Sequence, residues 1–288
     1  MDFKIAKKKL IKDLSYVINN IELREVIFAL DKPVPKIPFN THPHFRLSMV
    51  LDGSDRMIIS KDGKIEQIEI TPGQAVFFLY DGWALPVLPL VEGFHLSLVF
   101  YEDFIRFISA IAKNGKHIEK YWYHTDRSIC RLGIHVIQAL NALAREPGQD
   151  ERSLLLIRTL LMTALEDLKN DISGDSGKTR QTYHLIKDYL YTNYHIAINR
   201  ESVAKDLRIN KSYISKLFKS YSNESFNAFL KRLRMEHAAQ LLTDSRCTID
   251  EITFNCGFGS TTYFIKAFKT FYGVSPGRFR KAIVVSSK

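Results

Sequence analysis

Cysteine is scarce in this chain, with three residues in 288, at Cys130, Cys247 and Cys256. An odd number so widely spaced excludes a disulfide framework and offers no metal-ligand spacing. Each reads as a small buried hydrophobe in a reducing compartment. Long apolar runs are lacking too. The most apolar stretch, residues 75–100, is broken by Asp81, Pro86, Pro89, Glu92 and His95, which excludes a membrane-spanning helix there. The first fourteen residues carry Lys4, Lys7, Lys8, Lys9 and Lys12 and no apolar core, so no secretory signal is expected and the cytoplasm is the expected location. Neither a glycine–x–serine–x–glycine elbow nor a paired-carboxylate motif is found, so no enzyme activity and no cofactor are expected. Gly177-Lys178-Thr179 resembles the end of a phosphate-binding loop. Its first glycine would fall at Ile172, however, and a helical pattern precedes it where a strand is needed, so it reads as a decoy.

What is present is an ordinary globular mixture, 45% apolar, 12% aromatic and 25% charged, long enough for two domains. The net charge of +10 is unevenly placed. Residues 1–177 hold 22 Lys and Arg against 23 Asp and Glu, whereas residues 178–288 hold 19 against 8. The whole basic excess therefore lies in the last 111 residues. A compact basic domain of this kind most often meets a polyanion.

Between residues 26 and 100 the apolar residues come in short runs, at 26–29, 45–51, 57–60, 65–70, 75–80 and 94–100. The turn dipeptides Asp52-Gly53, Asp62-Gly63, Pro72-Gly73 and Asp81-Gly82 separate them. That pattern predicts an all-β sandwich or barrel. From about 102 a helical period is expected. Ile129, Leu132, Val136, Leu140 and Leu143 form one stripe, ending near Pro147-Gly148, and Leu154, Ile157, Leu161, Leu165 and Leu168 form a second. With Leu155, Leu156 and Leu160 off that stripe, the second helix is too widely apolar for one contact, which predicts a homodimer through 129–170. Residues 173–182 read as a linker.

The C-terminal pattern repeats. A short helix from 201 to 207, a turn at Arg208-Ile209-Asn210 and a helix from 211 to 220 are followed by a long helix capped by Ser225. A second unit then has a capping box at Thr248 and Glu251, a turn at Gly257-Phe258-Gly259 and a helix capped by Ser260. Ala204, Leu207, Ile209, Ile214 and Phe218 correspond to Thr253, Cys256, Phe258, Phe264 and Phe268. Each unit reads as a helix–turn–helix whose second helix projects for recognition. Pro276 then begins a last helix.

The blocks 212–219, 229–238, 257–269 and 273–280 resemble the DNA-binding domain of the AraC/XylS family of bacterial transcription regulators. Two positions depart from the family pattern, because Arg208 and Asn223 stand where glycine is usual. Arg208 would cost about 1 kcal/mol if its backbone is left-handed, and Asn223 tolerates that conformation. Position by position, the resemblance implies that Ser212, Ser215 and Lys216 face base edges from the first recognition helix, and Thr261, Thr262, Ile265 and Lys266 from the second. Lys211, Lys219, Lys269 and Arg280 would meet phosphates.

The family further implies a cupin-like sensor domain, giving an α+β chain. Residues 1–101 would be the sensor, 102–172 a helical dimerisation segment, 173–182 the linker and 183–288 the all-α tandem helix–turn–helix domain. His42-Pro43-His44 invites a metal reading and a rival function, a cupin-type metalloenzyme fused to a nucleic-acid-binding tail. The glutamate such a site needs is replaced by Ser48 and Met49, and no later histidine has the right setting, so no metal is expected. The alternating His44, Arg46 and Ser48 on one strand, His95 and Ser97 on another, and Trp83 instead suggest a pocket for a small polar effector such as a sugar. The alternative is that this polar face meets solvent. The expected partners are therefore double-stranded DNA, a small-molecule effector, a second copy of the chain and RNA polymerase, with no membrane.

Overall fold

The computed structural model of the chain describes residues 3–33, 44–80, 82–146, 151–171, 175–242 and 247–286, the side chains of 175–178 and 283–286 excepted. His42, Pro43, Asp81, Pro147, Gly148, Ile172 and Thr243 lie outside the described residues. The chain divides into two compact units, Met1–Gln181 and Thr182–Lys288. Among the described residues no helix is long and apolar enough to cross a membrane.

The first unit opens with a helix, α1 (Phe3–Asn20), where the sequence reading saw only a lysine-rich start. Ala6, Leu10, Leu14 and Val17 recur at helical spacing and are buried, while the lysines occupy the other faces. Nine strands follow: β1 (Glu25–Ala29), β2 (Phe45–Gly53), β3 (Asp55–Lys61), β4 (Lys64–Ile70), β5 (Gln74–Phe78), β6 (Ala84–Pro86), β7 (Gly93–Phe100), β8 (Ile105–Lys113) and β9 (Lys116–His124). They form a six-stranded sheet in the order β1-β5-β2-β7-β8-β9 and a three-stranded sheet in the order β4-β3-β6. Among the described residues only the β1–β5 pairing is parallel.

The strand alternation decides which face goes where. Leu47, Met49 and Leu51 of β2 share a core with Leu10 and Leu14 of α1 and with the helices α2 (Arg131–Leu143) and α3 (Glu151–Asn170). Val50, on the opposite parity, packs with Val76 and Phe78 against Met57, Ile59 and Ile70 of the small sheet. The even-numbered side of β2, which carries Arg46 and Ser48, thus faces the second sheet.

Three expectations need correction. Residues 105–124 are a β-hairpin, not the start of a helical segment. Ile105, Phe107 and Ser109 alternate into the interior, and Asn114 (φ 52°) with Gly115 (φ 77°) makes the Asn-Gly turn that favours a hairpin. On the helices, Leu132 is 57% exposed, and the buried stripe of α2 is Val136, Ile137 and Leu140. Ile157, Leu160 and Leu161 are all inside the unit's own core, leaving Leu155 (61%) and Met162 (55%) as the exposed apolar residues of α3. Residues 175–182 are helical too, as the start of α4 (Asp175–Asn193). A single glycine costs a helix only about 1 kcal/mol, and Gln181, fully buried, fixes this helix to the end of β9. Its amide accepts from the His124 N–H (3.1 Å) and donates to the His124 carbonyl. Gly177-Lys178-Thr179 therefore lies inside a helix.

The second unit continues with α5 (Arg200–Asp206), α6 (Lys211–Tyr221), α7 (Phe226–Leu242), α8 (Ile249–Asn255), α9 (Thr261–Tyr272) and α10 (Pro276–Ser286). Its two halves end their first helices identically. The Ile209 N–H reaches the Ala204 carbonyl (2.9 Å) and the Arg208 N–H that of Lys205 (3.2 Å). Phe258 reaches Thr253 (3.0 Å) and Gly257 reaches Phe254 (2.9 Å). These are Schellman closures, which require a left-handed residue. Arg208 (φ 55°) and Gly257 (φ 74°) supply it. Among the described residues positive φ outside glycine occurs only at Asp62, Asn114 and Arg208, so Asn223 is not left-handed and carries no such cost.

These matched turns predict opposite responses. Arg208 is exposed and strained, so Arg208→Gly raises stability by up to about 1 kcal/mol. Gly257→Ala would place a Cβ 2.5 Å from the Tyr194 carbonyl oxygen and costs at least about 2 kcal/mol. Both tryptophans, Trp83 and Trp122, lie in the first unit. Urea unfolding followed by helical circular dichroism therefore moves in opposite directions for the two variants, while the tryptophan-fluorescence transition stays fixed.

Candidate nucleic-acid interface

α6 and α9 are the projecting helices of the two halves. Each is anchored by one buried side, Ile214, Leu217 and Phe218 in α6 and Phe264, Ala267 and Phe268 in α9. Asn210 caps α6, accepting from the Ser212 N–H (2.7 Å), and Ser260 caps α9, accepting from Tyr263 (3.4 Å). The supporting helices are capped reciprocally as well, by Asn199 with Ser202 and by Thr248 with Glu251.

The opposite side of each projecting helix is open. Ser212, Lys216 and Lys219 are exposed on α6, and Thr262, Ile265, Lys266 and Lys269 on α9. Among the described residues none of these four lysines forms an ion pair. The other sequence-picked residues are committed within the protein. Lys211 pairs with Glu201, holding that carboxyl below its usual range, and Thr261 donates to Asp250 (2.6 Å) from the equivalent position of the second half. Ser215 accepts from Arg200 Nη1 (2.5 Å), and Arg280 donates to the Cys247 carbonyl (2.7 Å). Arg200 was not legible as a site residue, because its link to Ser215 crosses the turn. Tyr263, 59% exposed beside Thr262, was also passed over.

α7 sets the two halves relative to each other. Phe226 and Phe229 pack on Phe218 (5.6 and 5.7 Å between ring centroids), whereas Met235, Ala238 and Leu242 are buried on another side of the same helix. Arg232 is pinned by Glu224 (2.7 Å) and Glu236 (3.0 Å). Arg234 donates to the carbonyls of Tyr194 and Ile196, both at 2.9 Å.

In the first unit the candidate effector residues occupy the inner face of the large sheet. Ser48 and Ser97 pair across β2 and β7, with hydroxyl oxygens 2.9 Å apart. The Arg46 guanidinium lies 3.6 Å from the Phe78 ring centroid, and burial, partly opposed by Asp55, lowers its pKa to about 10. Asp55 also lies 3.6 Å from His95 Nδ1, so Arg46 and His95 share one carboxylate. His44 packs on Tyr101, 4.2 Å between ring centroids. Trp83 presents no surface, because it is fully buried and donates to the Pro33 carbonyl (3.1 Å). The ring that shares this face is the partly exposed Trp122, on the cross-strand row Ser48–Ser97–Ile108–Trp122. Among the described residues no group of three or more His, Cys, Asp or Glu is placed to hold a metal ion.

One buried group makes the second unit pH-sensitive. His237 of α7 packs on Tyr194 (4.9 Å between centroids), and burial lowers its pKa to about 4. Unfolded, it titrates near 6.5. Between those values the unfolded chain binds a proton that the folded chain does not, so stability falls as pH drops from about 6.5 to about 4. The full effect is on the order of 3 kcal/mol, with His195 shifted in the same direction. Urea midpoints by circular dichroism between pH 7 and 4.5 check this, and His237→Gln flattens the dependence.

Comparison with known proteins finds a sequence match over the same segment. A family model described as "Helix-turn-helix domain" matches residues 203–282. The "Uncharacterized HTH-type transcriptional regulator YijO" of Escherichia coli is 27% identical over 276 residues, 93% of this chain and 94% of that protein. The "Msm operon regulatory protein" of Streptococcus mutans is 27% identical over 177 residues, 60% of this chain and 63% of that one. Among solved structures, the C-terminal domain of AraT, a response regulator from Geobacillus stearothermophilus, is 33% identical, covering 35% of this chain and 84% of that chain with a TM-score of 0.34.

Proposed function

The chain belongs to the AraC/XylS family of DNA-binding transcription regulators, and from that premise we propose a one-component switch that reads two adjacent major-groove segments of double-stranded DNA with α6 and α9. The observation that carries this reading is the pair of half-units with matching turn hydrogen bonds, each projecting one capped helix with exposed lysines. Ser212 and Lys216 read the first subsite, and Thr262, Ile265 and Lys266 the second. Lysine suits guanine acceptors, and the isoleucine and threonine methyls suit the thymine methyl. Ser215 and Thr261 already spend their hydroxyls within the protein, and Lys211 and Arg280 their charges, so their share is smaller. If α7 spaces the two helices by one turn of B-DNA, about 34 Å, the subsites lie ~10 base pairs apart.

Selection of binding sites from random duplex DNA tests this reading. Lys216→Ala and Lys266→Ala each cost ~1–3 kcal/mol, and each relaxes sequence preference in one subsite only. An unchanged selected motif in both variants would falsify the assignment. Transcription from a promoter carrying the selected site, with purified RNA polymerase, separates activation from repression.

The first unit serves this reading as a sensor and a dimerisation module. A small polar effector, such as a sugar, is held on the inner sheet face by Arg46 and His95, with His44 nearby and Trp122 supplying the ring assigned above to Trp83. A second copy of the chain covers Leu155 and Met162, which lie one heptad apart on α3. An effector present at about a hundred times its Kd adds roughly 2.7 kcal/mol to the tryptophan-monitored transition. A thermal-shift screen of sugars and small acids on the full chain finds it, and stabilisation that survives both Arg46→Gln and Trp122→Ala puts the site elsewhere. In sedimentation the wild type is a dimer that Leu155→Asp with Met162→Asp dissociates. A monomeric wild type at micromolar concentration ends the dimer proposal.

A further inference from the structure

The exposed side of α6 does not stop at its base-facing residues. At its C-terminal end lies a cleft of about 350 Å³ whose walls include Arg200, Ser215, Lys219, Ser222, Glu224 and Asn227. Two cations enter it from different helices, Arg200 from the first turn of α5 and Lys219 from α6. Arg200 is aimed by Ser215, whose hydroxyl takes one of its five N–H donors at 2.5 Å. Its Nε is buried and has no hydrogen-bond partner among the described residues. Of the nearby carboxylates, Glu201 is paired with Lys211 and feels the Arg200 charge less strongly, and Glu224 is paired with Arg232 (2.7 Å). The cleft is therefore a positively charged notch with unused donors, opening beside a helix that also exposes Ser212 and Lys216.

We propose that this notch binds one phosphodiester of the DNA backbone at the edge of the first subsite, and that Ser215 positions Arg200 rather than reading a base. The proposal rests on the DNA-binding reading above. The dimensions fit it. Ser212 and Lys219 are seven residues apart, roughly 10 Å along the helix, and the major groove is about 12 Å wide. With Ser212 and Lys216 over base edges, the Lys219 end of the helix arrives at the bordering phosphate strand. A guanidinium and an ammonium converging on one anion are the groups a phosphate oxygen cluster takes best. Among the described residues the second half-unit does not repeat these groups. Ile249 and Ile265 occupy the positions of Arg200 and Ser215, at the first turn of α8 and the fifth residue of α9, and only Lys269 remains in the place of Lys219. The two subsites thus differ in kind, the first anchored to the backbone and the second presenting an isoleucine.

The test is the salt dependence of binding by the full chain to duplex DNA carrying the motif selected by the wild type. Each phosphate contact contributes about 0.9 to the slope of log K against log salt. Arg200→Ala combined with Lys219→Ala should lower that slope by about one contact, each single change should lower it by part of that, and all three variants should leave the selected motif unchanged. Ser215→Ala should also weaken binding, and combined with Arg200→Ala it should add nothing, since the two act as one unit. Neutral methylphosphonate substitutions, made one phosphate at a time, need no variant protein. One position flanking the first subsite should weaken wild-type binding, weaken binding by Arg200→Ala less, and leave binding by the double variant Arg200→Ala with Lys219→Ala unaffected. An unchanged slope in Arg200→Ala, or no sensitive phosphate beside the first subsite, overturns the notch while the DNA-binding reading stands. A change in the selected motif also overturns it, by making Arg200 a base reader. A wild type that binds no duplex at any salt overturns both readings.

Discussion

α7 is buried on two sides, and the DNA-binding unit depends on it. Phe226, Phe229, Leu230 and Leu233 face the first half-unit side of the helix, and Met235, Ala238 and Leu242 lie about half a turn away. A surface helix of a soluble domain needs only one apolar stripe. Two stripes make α7 a wall shared by the two half-units. The aromatic contacts of Phe218 with Phe226 and Phe229 tie α6 to its first half, and the Tyr272 hydroxyl donates to the Met235 carbonyl (3.4 Å), tying α9 to its second. The separation of the projecting helices is therefore a property of one rigid element.

In the first unit the comparable constraint is the end of α3, where separate elements are joined through one residue. The Asp171 backbone carbonyl accepts from Lys7 of α1 (2.6 Å), and its carboxylate accepts from the Tyr123 hydroxyl (2.6 Å) and the Asp126 N–H (2.8 Å). The nearby Asp126 carboxyl is raised by burial and by the Asp171 charge, a cost that this convergence of hydrogen bonds offsets. A few residues later Gln181 closes on both backbone groups of His124. His124 stands on the cross-strand row that runs through Arg106 and Val99 to Arg46. The end of the first unit is thus part of its hydrogen-bonded frame.

What could be read from the sequence followed the range of the interactions. Caps, turns and helical stripes are set by residues within four positions of one another. Asn210, Ser225, Thr248, Glu251 and Ser260 could therefore be placed beforehand, and each is found capping its helix. The left-handed strain at Arg208 was legible for the same reason. Contacts between distant segments were not. Arg200 with Ser215 depends on how two helices cross a turn. Leu161 against Leu155 depends on which side of a doubly apolar helix meets the sheet. The 105–124 hairpin was missed although its alternation and its Asn-Gly turn are local signals, because the apolar residues beyond it begin a genuine helical period.

The two half-units share a backbone but not its surroundings, and this explains why one turn tolerates arginine and the other does not tolerate a side chain. At Arg208 the left-handed residue points to solvent and the penalty is conformational only. At Gly257 the same backbone passes within 2.5 Å of where a Cβ would meet the Tyr194 carbonyl, and 2.9 Å from Arg234 Nη2. Arg234 fills that space. It binds the Tyr194 and Ile196 carbonyls at the end of α4 and lies 5.7 Å over the Phe258 ring. An orphaned helix-end carbonyl, a cation and the second turn are thereby satisfied together. The glycine is required by its left-handed backbone and by the Tyr194 carbonyl, and Arg234 is held beside it by the Tyr194 and Ile196 carbonyls. Repeating the fold twice along the chain thus left the first copy free to vary at its turn and to acquire a basic cleft, while the second copy became the one locked to the rest of the domain.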